Sequence, residues 1–412
     1  MRALPELGEI KEKAKKAENR PAPFGPDIDP SGYSCEAEET GRVENLRELA
    51  PDIREKAADA GIDCEEEARS GSFFMMNGSA LFSSSYASGL ELMSMTEALE
   101  KYGWLKDYWW RALDVGADKY TARAELRFHQ GYFIRALPGA KISLPVQACL
   151  YLGSDMFSQN VHNIIIAEEG SELHIITGCA SGKDLRRGLH IGVSEFFIKK
   201  NAHVSFSMIH SWAEGMDVRP RSGVLIGEGG VFLSNYICMK PVGTLQMYPV
   251  AYCTGQGAIA RFNSVLIGHE GSVLDVGSRV VLSASGSRAE VIARAITLGG
   301  YIASRGHLIG EAPLIKAHLE CRGLILREKG SIYAVPELEG RLPNIEMSHE
   351  AAVGKIAEEE IRYLMARGLT AEEATAAIVR GFLDIDIKGL PEQLRDEIRR
   401  ATGMAEITKP LF

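Results

Sequence analysis

The usual metal-binding spacings are missing from this sequence: it has no CxxC pair and no HExxH, and its cysteines (Cys35, Cys64, Cys149, Cys179, Cys238, Cys253 and Cys321) are odd in number and widely scattered. That argues against a disulfide framework and against a zinc finger. No run of eighteen apolar residues occurs, so no transmembrane helix is expected. Met1 to Arg20 mixes Lys with Glu around few large apolar residues, unlike a signal or transit peptide, which points to the cytosol and away from membranes. A long basic stripe is also lacking and the formal charge is −9, so nucleic acid is not an expected partner, because neutralising phosphates requires clustered Lys and Arg. Glycine-rich pieces such as Gly227-Glu228-Gly229-Gly230 fit neither GxxxxGK[ST] nor GxGxxG, which leaves the chain without a nucleotide site of its own.

What remains is a soluble composition, 45% hydrophobic and 25% charged over 412 residues, enough for two or three packed units. Three regions are expected: an α-rich N-terminal unit with a linker over 1–125, a strand-rich core over 126–345 and a helical C-terminal unit over 346–412. Residues 1–20 suit an exposed helix; Pro21, Pro23, Pro26 and Pro30 then preclude a continuous one and mark the linker. A short helical region resumes near Val43 to Ala60. Ser94 with Glu97 forms a capping box ahead of Leu99, Trp104, Leu105, Tyr108 and Trp109.

From Gly131 to Gly340 short runs of Val, Ile, Leu and Phe are broken by Gly, Asn, Ser or Lys, which reads as strand. A Gly or Asn followed by a small residue recurs at Gly170, Asn201, Gly229, Gly257, Gly271 and Gly330, with intervals of 31, 28, 28, 14 and 59 residues. So imperfect a period fits a β-solenoid and a sandwich or barrel equally well. After Gly354, Ile361, Leu364 and Met365 share one helical face, Gly368 is a natural stop, and Thr370 with Glu373 forms a second capping box. The helix it opens carries a stripe of Ala374, Ala377, Ile378, Gly381 and Phe382, and Pro391 is expected to begin a third helix ending near Ala401.

Met347 to Ile356 (MSHEAAVGKI) and Glu360 to Leu369 (EIRYLMARGL) resemble the C-terminal signature of the SufB and SufD proteins of the SUF iron-sulfur cluster assembly system. Ile165 to His174 leading to Gly178-Cys179, and Gly131 to Gln147 with its Leu144-Pro145-Val146-Gln147, are similar to the family core, so the resemblance spans roughly residues 70–390. It implies a mainly β fold, with a right-handed parallel β-helix flanked by N-terminal and C-terminal α-helical segments. It also implies pairing of subunits through the β-helix, C-terminal helices docking on the ATPase partner SufC, and delivery of a transiently held iron-sulfur cluster to acceptor proteins. On that basis the chain is a scaffold and not an enzyme. One departure stands out: where SufB proteins carry a cysteine shortly before a proline, this chain reads Lys329-Gly330-Ser331 ahead of Pro336. The alternatives are a SufD-like subunit needing a SufB mate, or a homodimer, which is preferred because Cys179 and Cys321 stand at positions resembling SufB cysteines. A structural solenoid without metal chemistry is the other reading; a secreted carbohydrate-active β-helix is disfavoured.

Assembling a cluster calls for soft sulfur donors and for thiolate, imidazole or carboxylate to hold iron away from bulk water. The resemblance nominates Cys179 as sulfur acceptor and His349, Glu350 and Cys321 as metal ligands. For each cysteine the bland reading is a small buried hydrophobe; for His349 and Glu350 it is a capped helix start. Glu337 and Glu346 are weaker candidates, read as solvated edge residues. The nine other histidines are read as surface or satisfied core residues. A cluster usually takes about four ligands, and neighbouring strand residues point to opposite faces, so a two-fold axis that doubles every ligand is expected to complete the site. Ile361, Met365, Arg367, Ile378 and Phe382 are the expected ATPase contacts.

Overall fold

Between Val146 and Gly354 the chain alternates strands with tight corners, and the corners set the architecture. In the computed structural model, which describes residues 7–36 and 39–383, they stack into a parallel β-solenoid of about eight coils. Gly139, Gly170, Asn201, Gly229, Gly257, Gly286 and Leu314 all have φ between 53° and 72°. Each N–H donates to a carbonyl of the following coil, at Glu169, Lys200, Glu228, Gln256, Ser285, Pro313 and Asn344 in turn, over 2.8 to 3.2 Å. Left-handed backbone costs an L-residue with a Cβ roughly 1–2 kcal/mol, which is why five of these seven corners are glycine and one is asparagine. The period looked imperfect because Gly271 and Gly330, with Gly299, line the opposite corner, half a coil out of phase.

One sheet runs in parallel order through Val146–Leu152, Glu172–Ser181, His203–Ser211, Val231–Cys238, Ile259–His269, Arg288–Leu298, Lys316–Ile325 and Glu346–Gly354. The second includes Tyr132–Ala136, Ser158–Ala167, Arg187–Ile198, Val273–Leu282, Tyr301–Gly310 and Ser331–Gly340. Inward side chains from both sheets fill the lumen with one continuous apolar core, from Phe73 through Phe196, Phe206 and Phe232 to Leu319. Strands such as Ser158–Ala167 are buried throughout because a second core, built on Trp109, Trp110, Tyr120 and Phe197, covers their outer face. Arg288–Leu298, less covered, alternates buried with half-buried residues.

Strands extend beyond the expected 126–345 at both ends. Gly71–Met76 joins the first sheet in parallel, Ser79–Ser85 pairs with it antiparallel, and Leu90–Ser94 does the same to Tyr132–Ala136, so antiparallel strands close the N-terminal end. At the other end Glu346–Gly354 is a strand, which corrects the helix-start reading of His349 and Glu350. Among the described residues it and Ser331–Gly340 have no further strand partner, so this end is open.

The N-terminal segments lie against the solenoid. Helix Leu7–Ala17 buries Ile10, Ala14 and Ala17 instead of standing exposed. The proline-rich stretch after it is laid along the second sheet: the Phe24 ring stands 5.0 Å from Tyr248, Arg219 Nη2 donates to the Pro26 carbonyl, and the Tyr33 hydroxyl donates to Asp217. The Ser94–Glu97 capping box opens only Met95–Lys101. At the C-terminus, helices Glu358–Met365 and Ala371–Leu383 follow, the second with reciprocal Thr370–Glu373 hydrogen bonds. Its buried face is Ala374, Ala376, Val379 and Leu383, set on Ile209, Ile237, Val265 and Ile296 of the first sheet. That face is rotated from the expected stripe, leaving Gly381 exposed and Ile378 and Phe382 half-buried, because the helix has two neighbours and turns Ile378 toward the preceding helix. The expected third helix lies outside the described residues.

Candidate functional site

The open end gathers most of the nominated residues. Glu346–Gly354 pairs with Lys316–Ile325 so that His349 stands in register with Leu319, Glu350 with Glu320 and Ala351 with Cys321. Leu319 and Cys321 point into the lumen; side chains alternate along a strand, so His349 shares their inward row and Glu350 faces out. His349 is nonetheless exposed, because among the described residues no further coil covers it. Cys321 lies one coil deeper, 2% exposed, with Ser304 Oγ 3.6 Å from its sulfur, and burial raises its pKa so that the thiol is favoured.

Glu350 is engaged on the outer face. It accepts from Arg322 Nη2 at 2.9 Å, and Arg322 and Arg294 both reach Glu320, at 2.6 and 2.8 Å, forming a charged ladder across three coils. The structure therefore brings His349 and Cys321 to one side and holds Glu350 on the other. Glu346 pairs with Lys316 Nζ at 2.8 Å, and Glu337 lies 3.5 Å from His307 Nδ1. Among the described residues no three His, Cys, Asp or Glu side chains converge as a metal set.

Cys179 is far from the open end. It lies fully buried in the lumen, in register between Leu150 and His210, and burial pushes its thiol pKa far up. Of the seven thiols only Cys35 is partly exposed; Arg123 Nη2 donates to it at 3.1 Å.

Two histidines, His190 and His210, are buried in the same lumen. Burial holds His190 down at about 3 and His210 well below its ordinary value. The folded protein thus refuses protons that the unfolded chain takes near pH 6.5. Stability is then complete above that pH and is lost as pH falls from there toward the folded values, each histidine adding about 1.4 kcal/mol per pH unit to the slope. Urea midpoints measured from pH 8 to 4 are expected to drop below about pH 6.5, and the drop should be shallower in His190→Gln.

The C-terminal helical pair offers a different surface. Helix Glu358–Met365 buries no residue fully, and Glu359, Glu360, Tyr363, Leu364 and Ile378 line an open groove of about 410 Å³. Tyr363 is 58% and Met365 44% exposed, and the Arg367 guanidinium sits 4.7 Å from the centre of the Tyr363 ring. Ile361 and Ile378 are half-buried, and Phe382 lies under Arg294 at 6.0 Å. Tyr363, absent from the nominated contacts, is the most exposed large apolar side chain of the pair.

A family model described as SUF system FeS cluster assembly, SufBD core domain, matches residues 150–382. A protein of Methanothermobacter thermautotrophicus named iron-sulfur cluster assembly SufBD family protein is 49% identical over 405 residues, covering 97% of this chain and 99% of its own length. One of the same name from Archaeoglobus fulgidus is 54% identical over 353 residues, covering 86% and 95%. A Pyrococcus horikoshii relative is 27% identical over 371 residues, covering 88% and 83%.

Proposed function

The chain belongs to the SufBD family of iron-sulfur cluster assembly proteins, and on that premise we propose that it is a scaffold subunit that pairs with a second copy of itself at the open end of the solenoid and holds a nascent cluster there. The observation that carries this reading is the exposed imidazole of His349 at the mouth of the lumen, in the same inward row as Cys321, on a strand whose outer edge is unpaired. An unpaired edge takes another strand readily, and a two-fold axis there brings a second imidazole and a second thiol to the same place.

On this reading His349 meets iron first. Cys321 joins it as thiolate when iron displaces the proton that burial retains, Glu350 takes part only by leaving Arg322, and Cys179 accepts sulfur only if the coil around it opens. The cluster is cargo. A SufC-type ATPase binds the groove of the C-terminal helices, and acceptor proteins take the finished cluster. A SufD-like role beside a separate SufB-like mate is the alternative, favoured by Ser331 standing ahead of Pro336 where SufB proteins have cysteine.

Anaerobic reconstitution with ferrous iron and sulfide tests the reading. Visible absorption of an iron-sulfur chromophore is expected in the wild type, and His349→Ala should lose most of it while its sedimentation is unchanged. Equal absorption in the variant removes His349 from the site; no chromophore in either protein rejects the cluster-holding role.

A further inference from the structure

Leu314 breaks the pattern of the corner ladder. Every other member is Gly or Asn, whereas here a large aliphatic residue follows Pro313, takes φ 60° and exposes 70% of its surface. Folding of the single chain gains little from it: the conformation is strained, the side chain has almost no cover, and its one ladder contribution, the N–H bond to Asn344, is a backbone bond that Gly would make equally well. Leu314 also lies in the last corner before the open end. The following turn carries Leu342, 39% exposed, and the uncovered coil shows Leu338 and Val353 at 37% and 42%. A strained, solvent-facing leucine one coil from an unpaired, partly apolar end has the character of an interface anchor.

We propose that Leu314 is an anchor of self-association, its side chain buried against a second copy of this chain that docks on the open end. This rests on the pairing put forward above and adds to it the residue that sets its strength. The occupant is a second copy because Leu314 lies in the corner between Tyr301–Gly310 and Lys316–Ile325, the strands that pair with the two whose outer edges are unpaired among the described residues, and such edges are completed by the same edges of a mate. In a two-fold interface one substitution removes both anchors.

Sedimentation equilibrium of the full chain, with urea unfolding of a dilute sample, tests this. Leu314→Gly relieves the strained corner and removes the side chain, so the dilute protein should unfold at higher urea while the dimer Kd rises at least about ten-fold. Leu314→Asn, which keeps a corner residue of the kind found at Asn201, should weaken the dimer similarly, and Leu314→Met should keep it within about three-fold. A wild type that dimerises with a Kd untouched by Gly and Asn overturns the anchor and leaves the pairing standing. A wild type that stays monomeric at every concentration overturns the pairing and the anchor together.

Discussion

Replacing Glu195 with Ala is expected to cost about 3–5 kcal/mol of stability, because it strips a buried carboxylate from the donors that surround it. Its side chain is fully buried on the strand Arg187–Ile198. Its oxygens accept the backbone N–H groups of Trp110, Ala112 and Leu113 at 2.7, 2.5 and 3.1 Å, and His162 Nε2 lies 2.9 Å away. Trp110 has φ 54°, and these bonds hold that strained turn against the solenoid. Truncation leaves the buried N–H groups of Trp110 and Ala112, the half-buried N–H of Leu113 and an imidazole without this partner, at a desolvation penalty of about 1–3 kcal/mol for a fully buried group. Glu195→Gln should cost roughly half as much, since its amide oxygen still accepts while its NH2 faces donors. Urea unfolding followed by Trp109 and Trp110 fluorescence reads the result; a loss below about 1 kcal/mol for Ala would mean that water replaces the carboxyl there.

The second large effect concerns the C-terminal helices, of which one face is buried on the first sheet and another is exposed. If the proposed ATPase docking holds, Tyr363→Asp combined with Met365→Asp is expected to abolish co-purification of a SufC-type ATPase while changing stability by less than about 0.5 kcal/mol, because both side chains are exposed. Val379→Asp is the reverse case. Val379 is fully buried among Ile209, Ile237 and Ile296, so an aspartate there should undock the helix from the sheet. Deleting everything after Ala357 would remove the proposed docking helices and also uncover that aliphatic face, so aggregation would cloud its interpretation. ATPase capture undiminished by the exposed double substitution would place the docking surface elsewhere.

The two surfaces differ in how far they could be read in advance. The capping box at Thr370 and the apolar content of the last helices were visible because a helix repeats every 3.6 residues and its caps are local. Which residues of the stripe are buried was not visible, since Val379 and Ile378 are adjacent apolar residues and the choice depends on which neighbour each faces. Glu195 gave no local signal. It is one carboxylate in a strand; its backbone partners lie 82 to 85 residues away and His162 lies 33 away.

By itself the sequence determined the strand-rich core, the glycine corners, the absence of a helix long and apolar enough to cross a membrane among the described residues, and the SufBD membership. All of these are encoded locally or as similarity along the chain. Only the tertiary structure decided that His349 points into the lumen while Glu350 joins the outer ladder, and that the N-terminal end of the solenoid is closed and the other open. Strand alternation makes neighbours face opposite ways, but which way is inward follows from register with the preceding coil, some 30 residues earlier.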